Sequence, residues 1–352
     1  MKAKPPKGRG ATRQAINPFH KQHIEVVHEE GIDEPVEEAS ATQVIATHPK
    51  TILNRVDSPD IGHSYSLNPY QGCEHGCIYC YARNSHAYWG FNAGLDFEQK
   101  IMVKENAPEL LVKAWQQPNW EVLPIMLAGN TDVYQPLERK YQLTRQLLQK
   151  MLDYRHPVGV ITKNALMLRD KDILAQLAAH RLVHVAVSIT SMQEEVRRAM
   201  EPRTATLAQR WRVVESLSAL GIPVRVMIAP VIPGLTAHEL PQLVERAAEA
   251  GAQAVSYLVV RLNGAVGPLF TDWLKAHWPH KASKILRQIA DLHGGQLNDS
   301  RFGIRMKGEG PYSDMIQQLF KRAQKQFFPV NALPEYNCTQ FIRPHGRQGV
   351  LF

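Results

Sequence analysis

The sequence predicts an α/β protein built on a parallel sheet covered by helices, and two observations carry that prediction. Six apolar runs of strand length recur along the middle of the 352-residue chain, separated by segments with helical spacing. The runs are continuous rather than alternating, as expected of strands buried on both faces.

Residues 1 to about 50 are rich in Pro, Gly and blocks of like charge, lack an amphipathic period, and read as a flexible tail. From Thr51 the texture changes. Ser64–Asn68 reads as a short strand that enters a cysteine-rich loop. Val122–Ala128 is the second strand, followed by a helix with Leu143, Leu147 and Met151 on one face. Val158–Ile161 is the third, with a helix from Arg169. Leu182–Ile189 follows, then Leu207, Trp211, Val214 and Leu217 at helical spacing. After Val224–Ala229, a helix opens with Thr236 and Glu239 in a capping-box arrangement and turns Leu240 and Val244 inward. Ala254–Val260 completes the series. The core is therefore expected over residues 51–270, with a mainly helical, basic extension over 271–352.

Three of the four cysteines fall within eight residues, as Cys73, Cys77 and Cys80 in the spacing C-x3-C-x2-C. Thiolate is the soft ligand that iron–sulfur clusters require, and three of them can hold three irons of a [4Fe–4S] cubane. The fourth iron is then open to the amino and carboxylate groups of S-adenosylmethionine. Tyr79 offers a flat ring that can pack beside an adenine. The alternative is structural zinc, with His75 or the remote Cys338 completing the ligand set. Four cysteines in a chain of this length are too sparse for a disulfide framework.

Hydrophobic content of 44% and charged content of 21% are those of a soluble globular protein. No stretch approaches the roughly 20 apolar residues that span a membrane, and Val224–Leu235 is broken by Arg225, Pro230 and Pro233. No apolar segment follows the basic residues at the N-terminus, so no signal peptide is read. With an oxygen-sensitive cluster, that implies a reducing cytoplasm. Net charge is +8, and residues 300–352 hold eight Lys/Arg against three Asp/Glu. Phe302, Tyr312, Phe320, Phe327, Phe328, Tyr336 and Phe341 are interleaved there. Cations beside flat rings form a nucleic-acid pattern, and a solvated basic face over core aromatics is the alternative.

The cysteine motif resembles the signature of the radical S-adenosylmethionine superfamily. The longer phrases SLNPYQGCEHGCIYCYAR, AGNTDVYQPLERKYQLTR, ITKNALMLRD, EPRTAT and APVIPGLT resemble the branch grouped beside spore photoproduct lyase, often labelled DNA-repair photolyases. The resemblance implies a partial (β/α)6 TIM-like barrel over roughly residues 60–265. It also implies a cluster that cleaves S-adenosylmethionine to a 5′-deoxyadenosyl radical, a substrate in DNA or RNA, and an electron donor such as flavodoxin or ferredoxin. Chemistry in such a sheet sits at the carboxyl ends of the strands. There Gly129, Asn130, Thr131 and Asp132 replace the family's Gly-Gly-Glu-like segment that binds the cofactor's amino group; as a plain helix cap they precede Pro136. Ser188 and Thr190 are suited to a ribose, Arg203 to the cofactor carboxylate, and Pro230 to a wall of the adenine pocket. Lys163 is a rim cation for cofactor or substrate, or else a partner for Asp132. In the lyase a cysteine beyond the motif returns hydrogen to a product radical, and Cys338 is the remaining thiol here. Gln348-Gly349-Val350-Leu351-Phe352 resembles the peptide by which bacterial repair proteins grip the sliding clamp. A reading of a different class is a non-catalytic, metal- or cluster-stabilised nucleic-acid-binding protein.

Overall fold

Six parallel strands form the frame in the order of the sequence, in a computed structural model that describes residues 8–11, 15, 17, 41–62 and 64–344. In chain order the strands are β1 (Gln43–Thr47), β2 (Leu53–Arg55), β3 (Tyr65–Leu67), β4 (Tyr70–Gln71), β5 (Lys100–Lys104), β6 (Ile125–Leu127), β7 (Val158–Thr162), β8 (Val183–Ser188), β9 (Val224–Val231) and β10 (Ala254–Val259). The main sheet runs β2-β3-β6-β7-β8-β9-β10, parallel throughout except for β2, which pairs antiparallel with β3. All six predicted strands are present. Helices in the crossovers cover one face, giving the partial α/β barrel.

Burial along the strands departs from the expectation of two buried faces. In β8 and β9 fully buried and half-buried residues alternate. Val183, Val185 and Val187 pack with Leu177, Val214 and Leu217 under the helices. The opposite face carries Ile161, His184, Ala186, Arg225 and Met227, all half-buried. An open barrel leaves this concave face a lumen, so its residues need only be small or long enough to line it.

Two elements were not foreseen. A second, three-stranded sheet β1-β5-β4 lies beside the first, so part of the expected tail is strand. Residues 9–11 are buried as well, and they meet the cysteine loop. The capping box also moves. Thr206 and Gln209 form one at the helix Leu207–Ala219. Thr236 instead accepts the Ile232 N–H (2.9 Å), and Glu239 accepts from Ser191, Met192 and Gln193. A buried carboxylate is better satisfied by three donors on a neighbouring loop than by one reciprocal bond.

The extension after residue 270 is built into the same body. Helix Gly310–Phe327 buries Ile316, Phe320 and Ala323 in the main core, with the Phe320 ring tilted against that of Tyr257 at 4.6 Å between centres. Beyond it the chain crosses the amino ends of the strands. Asn331 exchanges two hydrogen bonds with Val255, the Pro334 carbonyl meets His184 Nε2 at 2.7 Å, and the Asn337 N–H donates to the Arg181 carbonyl. Residues 348–352, the proposed clamp peptide, lie outside the described residues. No helix among the described residues is long and apolar enough to cross a membrane.

Candidate active site

The cysteine loop leaves β4 at Gly72, whose φ of +83° suits glycine, and whose added Cβ would lie 3.0 Å from His86, Ile101 and Lys100 atoms. Its path is fixed from several sides. The Gly72 carbonyl accepts from Thr131 Oγ1 (2.6 Å) and Gln135 Nε2 (3.3 Å), and Cys73 N–H donates to the Phe97 carbonyl at 2.9 Å. Glu74 N–H donates to Gln135 Oε1 (3.0 Å), and its own carboxylate accepts from Thr42 Oγ1 and Leu137 N–H. Ile78 N–H reaches the Met200 carbonyl at 3.1 Å. Cys73 and Cys77 are buried and Cys80 is half-buried, all as free thiols. Burial pushes Cys77 and Cys80 above the ordinary thiol range, so a metal must displace their protons to use them as ligands.

His75 does not complete a zinc set. Its Nδ1 faces Asp132 Oδ2 at 3.3 Å and its Nε2 meets Asn164 Nδ2 at 3.1 Å. Burial draws its pKa down, but the Asp132 and Cys73 charges outweigh that and push it up to about 10. Asp132 is correspondingly lowered to about 2 despite its burial, through His75 and donors from Lys163 and Thr162. No three His, Cys, Asp or Glu side chains among the described residues converge as ligands of a single metal ion would. A cubane spreads its ligands over several irons, and three thiols on one loop without a fourth fit it.

A buried ion pair supports the loop from below. Arg83 and Glu98 have no exposed side-chain surface and meet at 2.6 Å. Arg83 also donates to the carbonyls of Cys77, Ala93 and Gly94, while Glu98 accepts the backbone N–H groups of Gly10 (2.9 Å) and Ala11 (2.8 Å). This brings residues 9–11 over the loop so closely that a Cβ on Gly10 would stand 1.7 Å from the Gly76 carbonyl oxygen. A second such pair, Arg210–Glu201 at 2.5 Å, sits under the rim of β8. Glu201 also accepts from the Tyr79 hydroxyl and from Thr190 Oγ1 (2.8 Å). Burial alone would raise its pKa; Arg210 and Lys163 hold it at about 2.

The predicted site residues divide into two groups. Gly129 and the half-buried Lys163 stand at the rim, where Tyr79 gives its hydroxyl to Glu201 and Asn130 gives its N–H to Asn68 Oδ1 (3.0 Å) and its Nδ2 to Gln71 Oε1 (3.0 Å). Gly129 is exposed, a Cβ there would meet nothing within 4 Å, and its φ of +112° follows an Ala128 φ of +113°. Such a conformation costs alanine on the order of 1–3 kcal/mol and is typical of ligand clamps. The Lys163 ammonium stands 5.9 Å from the centre of the Tyr79 ring, and its charge acts on Cys77 and Cys80. Asp132 takes the backbone N–H of Lys163 at 2.7 Å, not its ammonium.

The side chains of Thr131, Asp132 and Thr190 are committed to the chain, and Ser188 is buried at the end of β8. Thr131 holds Gly72, Asp132 holds His75 and Thr162, the Ser188 carbonyl accepts from Arg210 (3.0 Å), and Thr190 holds Glu201. Arg203 gives its backbone N–H to the His75 carbonyl and sets its guanidinium 3.6 Å from Glu74. Pro230 is buried inside β9, which continues to Val231 instead of ending at Ala229. Cys338 is not brought to the site. It follows Asn337 at the amino ends of the strands, a strand length of about 20 Å from the cysteine loop, beyond the reach of one thiol. The carriers Arg83, Glu98, Glu201, Arg210 and Gly10 went unread as site residues, since a buried Glu in Leu95–Gln99 looks like any helical Glu.

The aromatic pattern of the C-terminal extension resolves mostly into core. Phe328 is buried, Tyr336 stacks 3.7 Å from His184, Phe341 packs 5.3 Å from His156, and the Tyr312 hydroxyl accepts from Gln288. Phe320 and Phe327 pack in the main core, which leaves Phe302, 57% exposed.

A partial parallel barrel with three loop thiols at the carboxyl ends of its strands defines a radical S-adenosylmethionine protein. The chain belongs to the Radical SAM superfamily, whose family model matches residues 67–247. An uncharacterised protein of Mycobacterium tuberculosis is 34% identical over 238 residues, covering 67% of this chain and 70% of that one. An uncharacterised protein of Methanocaldococcus jannaschii is 28% identical over 196 residues, or 56% and 70% of the two chains. Among solved structures, spore photoproduct lyase complexed with dinucleoside spore photoproduct shares the fold, with a TM-score of 0.60 and 15% identity over 81% of this chain and 80% of that one.

Proposed function

We propose that Cys73, Cys77 and Cys80 ligate a [4Fe–4S] cluster with one iron open to S-adenosylmethionine, and that the enzyme acts on nucleic acid. The observation that carries the first part is the loop itself: three free thiols within eight residues, with the neighbouring histidine bonded to Asp132 and Asn164. When bound, such a cluster supplies the electron that cleaves S-adenosylmethionine reductively to a 5′-deoxyadenosyl radical, which abstracts hydrogen from the substrate.

The protein's part is orientation and exclusion of water. Tyr79, Gly129, Asn130 and Lys163 form the face assigned to the cofactor, with Lys163 the partner for its carboxylate. Thr131, Asp132, Ser188, Thr190, Arg203 and Pro230 act behind that face by holding the loop and the rim. Residues 9–11 close over the loop on the side of Gly76. A one-electron donor of the flavodoxin or ferredoxin type belongs to this reading. Nucleic acid is taken as the substrate class because the lyase sharing the fold was crystallised with a dinucleoside lesion, and because residues 300–352 are strongly basic. Repair or modification is the corresponding role.

The test is isotope transfer. Reconstituted protein, reduced with dithionite, is given oligonucleotides deuterated at sugar or base positions, and 5′-deoxyadenosine is analysed by mass. Deuterium in 5′-deoxyadenosine is the expected result. Cleavage without transfer from any DNA or RNA probe would remove nucleic acid as the substrate.

A further inference from the structure

Arg261 immediately follows β10 and Val260, at the carboxyl end of the last strand of the sheet. The backbone on either side is pinned, with Val260 N–H on the Val231 carbonyl (3.0 Å) and Leu262 N–H on the Leu297 carbonyl (3.1 Å). The guanidinium is half-buried, and it makes no hydrogen bond or ion pair among the described residues. The carboxylate that acts on it, Asp60, is already engaged through both oxygens, by Gly303 N–H at 2.7 Å and Arg305 Nε at 2.5 Å. The Val259 N–H donates to the Met306 carbonyl (3.1 Å), which sets Arg305 beside the end of β10, and burial together with the Arg305 charge lowers the Arg261 pKa from its ordinary value. Asp60 offsets the charge of Arg305, which leaves Arg261 as the partly desolvated cation without a hydrogen-bonded counter-ion, and such a group gains from an arriving anion.

Flat rings border the same place, because Asn84 in the helical segment Tyr81–Trp89 bonds the Asn263 carbonyl (3.0 Å) and the Ala265 N–H (3.0 Å) just beyond Arg261. Tyr81 is 49% exposed, with its hydroxyl held by the Gly129 carbonyl at the cofactor rim. Phe302 is exposed, and the Arg305 guanidinium lies 4.4 Å from its ring centre. Cation, cation and two open rings, next to the face assigned to the cofactor, match a phosphate with an adjoining base.

We infer that Arg261, with Arg305, Tyr81 and Phe302, forms a substrate subsite that takes a phosphodiester of single-stranded or extruded nucleic acid, with a neighbouring base stacked on Phe302. The inference rests on the nucleic-acid reading above and gives it a location at the barrel mouth, away from the exposed Lys321, Arg322 and Lys325 on the outer helix.

Binding of a fluorescently labelled ten-nucleotide DNA to the reconstituted protein, followed by anisotropy over a range of salt concentrations, tests it. Arg261→Gln is expected to weaken binding about tenfold at low salt and to flatten the slope of log affinity against log salt by about 0.7, the loss of one single-strand phosphate contact. Arg261→Lys is expected to keep most of that slope, which separates lost charge from misfolding. Phe302→Ala should weaken binding about tenfold with the slope unchanged, as loss of one stacked base does. Wild-type affinity and slope in Arg261→Gln would overturn the subsite while leaving the nucleic-acid reading intact. An equal loss of S-adenosylmethionine affinity in that variant would assign Arg261 to the cofactor and overturn it likewise. No binding of the oligonucleotide by the wild type at any salt concentration removes the nucleic-acid reading and the subsite with it.

Discussion

A carboxylate with no exposed surface persists only where donors surround it, and Glu98 has Arg83, Gly10 N–H and Ala11 N–H. Glu98→Gln leaves Arg83 buried without its counter-charge, so a loss of about 3–5 kcal/mol is expected in urea unfolding. Gly10→Ala probes the contact above the loop. Its Cβ would press on the Gly76 carbonyl, so less iron per protein after reconstitution is expected, with the circular dichroism unchanged. His156 makes a different pH-dependent case. It is buried, its Nδ1 bonds the Pro157 carbonyl, its Nε2 accepts from Trp120, and burial lowers its pKa to about 4. The unfolded chain therefore binds the proton first as pH falls below 6.5, and stability declines from there to about pH 4. The decline attributable to this group is at most about 3 kcal/mol, and it should shrink in His156→Gln when urea midpoints at pH 7 and 4.5 are compared.

Among the elements, the C-terminal helix Gly310–Phe327 behaves as a core element with a basic outer face. Phe320→Ala is expected to cost about 3–5 kcal/mol in a single cooperative transition; a separate early transition would mark the helix as an independent unit. The same helix shows what was legible in sequence. Apolar runs such as Val183–Ser188 and helical stripes such as Leu207, Trp211 and Val214 reveal themselves through local period. Which aromatics in residues 300–352 are buried depends on partners such as Tyr257, His184 and Trp115, which no local pattern supplies. Residues 9–11 and β1 were unreadable for a related reason, since backbone N–H groups and Gly10 hold them in place and those are common to many tails. The Cys73, Cys77 and Cys80 loop stands out in the sequence as three thiols within eight residues, and the ligand role proposed for it rests on that spacing.

At the scale of the whole molecule, the chain covers the amino ends of the barrel strands, and the cysteine loop lies at their carboxyl ends. Residues 331–343 cross the amino ends of the strands, and Tyr336 lies against His184 from the concave face. Asp60, in the connection between β2 and β3, bonds Arg305 and Gly303 beyond β10, which links the two margins of the open sheet. The Lys163 ammonium and the Tyr79 ring lie together at the rim of the carboxyl ends, within reach of the charge of Cys77. The most direct test is anaerobic reconstitution with iron and sulfide, followed by dithionite and S-adenosylmethionine, with 5′-deoxyadenosine and methionine quantified against a Cys77→Ala control. A brown wild-type protein that forms both products, beside a control that forms neither, is the result the account requires. A folded wild type that binds one zinc tightly, takes up no cluster and leaves S-adenosylmethionine intact would contradict it.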